Sequence, residues 1–139
     1  VRMNCEMCNL NIFIKNKHCD ITPFLMAVSS HSYAGNRDGD GIYTSYNNAI
    51  LKSNDKIDYT KLKHFINHSN TVITHQRIST SGFNIRYNQP FINEDFVFVH
   101  NGIINGFLKD EGSDSWGFFT DFISNFENSS ESIRSLRIM

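Results

Sequence analysis

No apolar run in this chain exceeds a few residues, and Phe96-Val97-Phe98-Val99 is typical of the longest. A membrane-crossing helix needs about 20 such residues in succession, so none is expected. Residues 1–17 alternate apolar side chains with Asn and Lys and lack the continuous apolar core of a signal peptide. Short runs suit strands buried beneath helices. Residues 9–14, 42–50, 71–75 and 96–99 are of strand length and rich in β-branched and aromatic side chains. The last of these reads as buried on both faces.

Helical spacing fills the gaps. Thr22-Pro23 forms a cap and first-turn pair ahead of Phe24, Leu25, Val28 and His31. Asp58 or Thr60 opens a second helix that buries Leu62, Phe65 and Ile66. Ser113 or Asp114 opens a third, whose apolar face is Trp116, Phe119, Phe122, Ile123 and Phe126. The glycines at 35, 39 and 41 end the first helix. Residues 52–58 read as a polar turn, 79–93 as a long loop and 128–139 as a polar tail.

Strands and helices alternate, with two strand-length runs in succession more than once. That order predicts an α+β or layered αββα domain rather than a doubly wound one. At 139 residues a single domain spanning 1–139 is expected. Hydrophobic residues at 40% and charged residues at 19% are a globular composition. A net charge of −1 supplies no surface for nucleic acid or membrane. Three cysteines, Cys5, Cys8 and Cys19, are an odd count in a chain large enough to fold without disulfides. A reducing, cytoplasmic setting and a free thiol follow. The glycine run is no phosphate loop, since it lacks the lysine and the spacing of one.

Four segments carry more polar and glycine residues than a core requires: Met7-Cys8, the stretch from His75 to Gly82, Val99-His100-Asn101-Gly102, and Ser113-Asp114-Ser115. Each falls at the end of a predicted strand or helix, where binding groups usually sit. Together they resemble the class II glutamine amidotransferase domain, a branch of the N-terminal-nucleophile hydrolases. His75-Gln76-Arg77-Ile78-Ser79-Thr80-Ser81-Gly82 matches the family's His-x-Arg-x-Ser/Ala-Thr-x-Gly segment. Asn88-Gln89-Pro90-Phe91, His100-Asn101-Gly102-Ile103-Ile104 and Ser113-Asp114-Ser115 match three further segments in the family's order. Asp38-Gly39-Asp40-Gly41-Ile42 matches its turn after the first helix.

The resemblance implies a four-layer αββα sandwich, here short at its C-terminal end, and no cofactor or metal. It implies that Cys8 is the nucleophile and becomes the first residue, residues 1–7 being a propeptide or a misassigned start. Cys5 is the alternative nucleophile. A free α-amine titrates near pH ~8 and serves as the base. Asn101 and the Gly102 N–H would donate to the oxyanion. Arg77 and Thr80 would hold the substrate, Arg77 as a planar fork on the glutamine carboxylate. Asp114 would take the ammonium. The implied activity is glutamine amide hydrolysis through a cysteinyl thioester, releasing ammonia to an acceptor on another chain such as a synthase subunit. A non-catalytic relative that binds an amino acid or a protein is the alternative.

Plainer roles compete for the same residues. Cys5-x-x-Cys8 with His18-Cys19 has ligand types suited to zinc. His75 and His100 read as hydrogen-bonded structural histidines, Asn101-Gly102 as a hairpin turn, and Asp114 as a helix cap.

Overall fold

The computed structural model describes residues 8–33, 38–78, 84–107 and 112–127. In chain order the elements are β1 (Asn9–Ile14), α1 (Thr22–Tyr33), β2 (Asp40–Thr44), β3 (Ala49–Ser53), α2 (Lys63–His68), β4 (Thr71–Gln76), β5 (Phe91–Ile92), β6 (Val97–Phe98) and α3 (Asp114–Glu127). Short 3₁₀ turns at Tyr59–Leu62 and Ile85–Tyr87 precede α2 and β5. The architecture is mixed α+β.

Four strands form one antiparallel sheet in the order β1-β4-β2-β3, and β5 and β6 form a separate ribbon. Side chains alternate between sheet faces, so register decides which residues share one. Phe13 lies opposite Val72, and Ile42 opposite Thr74 and Leu51. On this face Ile42 and Val72 join Leu25, Ile57, Tyr59 and Ile66 in the core, with Phe13, Ile21, Met26 and Leu62 packed around it. Helices α1 and α2 therefore cover one face. The other face carries the row Ile12, Ile73, Tyr43 and Ile50. It also carries Gly41, where a Cβ would lie 1.8 Å from the Gln89 carbonyl oxygen. Only glycine lets the Gln89-Pro90 segment rest on the sheet there.

Local chemistry corrects several expectations. Thr22 is the first residue of α1 rather than its cap: Leu25 N–H donates to the Ile21 carbonyl at 2.9 Å. Asp20 answers the Thr22 N–H at 3.0 Å and pairs with Lys63 at 2.8 Å, tying the starts of α1 and α2 together. Residues 42–50 are not one strand but a hairpin, because Asn48 turns to a φ of 47° and Thr44 Oγ1 donates to Asn47 Oδ1 at 2.8 Å. Asparagine tolerates that left-handed conformation better than most residues. Lys52 and Ser53 accordingly belong to β3, not to a turn.

The expected loop at 79–93 contains the second 3₁₀ turn and β5, while residues 79–83 lie outside the described ones. The strand expected at 96–99 shrinks to a half-buried pair in a two-stranded ribbon, which leaves one face without a sheet behind it. Ser113 caps α3, its Oγ accepting from Trp116 N–H at 3.4 Å. The helix's aromatic face packs on the ribbon, with Phe91 5.2 Å from Trp116 and 5.4 Å from Phe119 between ring centroids.

Candidate active site

Antiparallel register brings the first residues of β1 to the last of β4. Asn9 pairs with Gln76, so Cys8 falls beside Arg77 and Ile78. The Cys8 Sγ accepts from the Ile78 N–H at 3.3 Å and donates to the Ile78 carbonyl at 3.5 Å. The β2–β4 ladder continues past β4, Arg77 N–H donating to the Gly39 carbonyl at 2.8 Å. That bond fixes the backbone that carries Arg77.

Arg77 is only 6% exposed. Its Nη1 donates to Asn88 Oδ1 at 3.5 Å, and Asn88 Nδ2 is anchored on the Ser53 carbonyl at 2.8 Å. Burial lowers the guanidinium's pKa from its ordinary value, opposed by Cys8, Asp38, Asp114 and Tyr87. Its planar fork of donors suits a carboxylate.

Asn101 reaches Cys8 from the far side, its Nδ2 donating to the Cys8 carbonyl at 2.9 Å. It is exposed, and among the described residues Asn101 and Gly102 do not join two paired strands as a hairpin turn would. Gly102 takes a φ of 140°, which favours glycine. The Asp114 carboxylate accepts from the Ile104 N–H and from the Ser115 N–H, the latter at 2.7 Å. It thereby closes the segment after Gly102 onto the start of α3. His100 Nδ1 lies 3.2 Å from Ser115 Oγ.

Cys8, Arg77, Gly102 and Asp114 line one cleft together with Ile78, Gln89, Ser113 and Ser115. Its volume is about 40 Å³. Thr80 and Cys5 lie outside the described residues. A larger groove of about 470 Å³ runs along residues 12–17 with Cys19 and Ile21, but none of the expected site residues lines it. Among the described residues no group of three or more His, Cys, Asp or Glu side chains is placed to hold a metal ion. None of the described helices is long and apolar enough to cross a membrane.

His75 departs from expectation. It is 1% exposed, yet neither ring nitrogen has a hydrogen-bond partner of sound geometry. Burial, reinforced by Arg77 and His100, pushes its pKa down to about 4, so the ring is neutral. His100 has its Ser115 contact, as a structural histidine should.

Two contributors were not legible as such. Gln89 lies within the matched Asn88-to-Phe91 stretch but carried no expected role; Ser115, beside Asp114, touches both His100 and Asp114. Compared with models of known protein families, with curated proteins and with solved structures, the chain matches none.

Proposed function

We propose that this chain is a glutamine amidohydrolase or amidotransferase domain of the N-terminal-cysteine type, built on the αββα plan. One observation carries the reading. Cys8, Arg77, Gly102 and Asp114 come from four separated segments and line one cleft, with Asn101 bonded to the backbone of Cys8. A nucleophile, a carboxylate clamp, an ammonium acceptor and two N–H donors are what hydrolysis of an amino acid's side-chain amide requires.

In this reading the Cys8 thiol gives its proton to the free α-amine, and sulfur attacks the side-chain carbonyl of glutamine. Asn101 has two amide hydrogens and spends one on the Cys8 carbonyl, leaving the other for the oxyanion beside the Gly102 N–H. The carbon–nitrogen bond then breaks, and nitrogen takes the amine's proton and leaves as ammonia. Water attacks the thioester, returning the proton to sulfur and releasing glutamate. Arg77 holds the α-carboxylate. Asp114 retains lone pairs beyond those given to Ile104 and Ser115 and receives the α-ammonium. Ammonia passes to an acceptor on another polypeptide, in a reducing cytoplasm.

The described walls of the cleft enclose a small volume, about 40 Å³. That small volume is the one observation favouring a non-catalytic relative. A glutamine-analogue electrophile decides the matter. Protein whose first residue is Cys8 should take one label, mapped to Cys8 by mass spectrometry, and Cys8→Ala should take none. Equal labelling when residues 1–7 are retained would overturn the amine as base, and labelling at Cys5 would move the nucleophile. Glutamine binding without label or ammonia release would establish the non-catalytic reading instead.

A further inference from the structure

We propose that Gln89 is the positioning residue of the oxyanion site, acting through the peptide of His100; the inference rests on Asn101 and Gly102 being the oxyanion donors. Gln89 is 5% exposed, and its side-chain amide makes both of its bonds to one residue's backbone. Its Nε2 donates to the His100 carbonyl at 3.0 Å, and the His100 N–H donates to its Oε1. Two bonds of opposite sense fix the height and the rotation of that backbone, as a neighbouring strand would. Asn101 is the next residue and Gly102 the one after.

Gln89 is itself well anchored. Its carbonyl rests on Gly41 of β2, where no Cβ could fit, and Pro90 and the fully buried Phe91 follow it. The frame therefore runs from the sheet through Gly41 and Gln89 to His100, and ends at the two donors. The opposite end of the loop is held independently, by Asp114 on the Ile104 N–H. Other side chains fail for stated reasons: Asn is one methylene short, Glu can accept but not donate, and Met has the length with neither function. Catalytic donors tolerate little displacement, since a misplacement of about 1 Å can cost about 100-fold in rate.

A double-mutant cycle on protein beginning at Cys8 separates positioning from general support of the fold. Gln89→Met should lower kcat for glutamine hydrolysis by about 10- to 100-fold while KM stays within about threefold. Gln89→Glu, which keeps the bond from the His100 N–H, should recover part of that loss. In an Asn101→Ala background Gln89→Met should cost less than about threefold more, because the donor it places is gone. Wild-type kcat in Gln89→Met, or the same fold-loss in both backgrounds, would overturn the proposal while leaving the function intact. If Gln89→Met does not fold, Gln89→Glu in the same cycle is judged by the same criterion. A wild-type protein that releases no ammonia would overturn the function and this inference with it.

Discussion

Gln76 and His75 are neighbours in β4, each 1% exposed, and they point to opposite faces of the sheet. On the helix-covered face Gln76 Nε2 donates to Asp40 Oδ1 and to Tyr59 Oη, both at 3.0 Å. Tyr59 donates to Asp40 Oδ1 at 2.7 Å, and Ile57 N–H donates to Asp40 Oδ2 at 2.9 Å. The buried carboxylate thus has three donors from two other segments. On the opposite face neither ring nitrogen of His75 has a hydrogen-bond partner of sound geometry, and Arg77, two residues on, donates to Asn88. The Asp40 carboxylate spends its lone pairs on the protein's own donors, which ties these segments together and leaves it little for a ligand. A buried imidazole without such partners still has something to gain from one, and it is on this face, beside Arg77, that the cleft lies.

The two faces should respond oppositely to pH, and this is the largest effect expected. His75 drops to about 4 in the fold, against about 6.5 unfolded. The unfolded chain therefore binds the extra proton between those values. Stability from keeping His75 neutral is present above pH ~6.5 and is lost as pH falls towards 4, amounting to about 3 kcal/mol. Asp40 is raised, mainly by burial, so its contribution is full below pH ~3.8 and lost as pH rises through its folded value. Urea unfolding in steps from pH 4 to 7 tests the opposition. His75→Phe should flatten the rise in stability with pH, and Asp40→Asn should steepen it. An unchanged slope in His75→Phe would show that this ring already has a partner, and the contrast between the faces would fail.

Next in size is Arg77→Lys, which sharpens the contrast from the ligand side. If Arg77 holds the glutamine carboxylate as proposed, a point charge cannot reproduce that two-pronged contact, and the expected loss is about 1.5–3 kcal/mol. KM for glutamine should rise about 10- to 100-fold, kcat should hold within a few-fold, and the thermal midpoint should move little. An unchanged KM would place Arg77 with the structural residues, alongside Gln76.

The helix-covered side was the more legible in sequence, and the reason is physical. The strands at 9–14 and 71–76, and the Leu62–Ile66 packing, follow from apolar side chains recurring at fixed spacing. Asn48 hid the hairpin, because a left-handed residue interrupts no apolar pattern when it sits between Tyr46 and Ala49. The site was legible as residue types in order: Cys8, Arg77, Asn101, Gly102 and Asp114 do meet. The support beneath it was not. Gln89 holding the His100 backbone, and Gly41 making room for Gln89, are contacts between distant segments that leave no periodic trace. Phe96 to Val99 misled in the opposite way, since an apolar run looks the same whether it lies in a sheet or in a narrow ribbon beside α3.

The smallest effect tests whether the Asp40 network is separable from the chemistry. Tyr59 is fully buried, and its hydroxyl both donates to Asp40 and accepts from Gln76. Tyr59→Phe keeps the ring's packing and removes only that hydroxyl. Asp40 keeps Ile57 and Gln76 as donors, and Gln76 keeps Asp40 as acceptor, so the loss should be that of one ordinary bond, about 1 kcal/mol. For a chain of this size that corresponds to a thermal midpoint lower by about 3–5 °C. Losing a donor should also move Asp40 further in the direction burial already pushes it, steepening the pH response of this face alone. Neither kcat nor KM should change once the folded fraction is accounted for, because the hydroxyl lies across the sheet from Arg77. Thermal unfolding beside glutamine kinetics settles it. A fall in kcat in fully folded Tyr59→Phe would mean that the network sets the position of the last residues of β4, and that the two faces act as one.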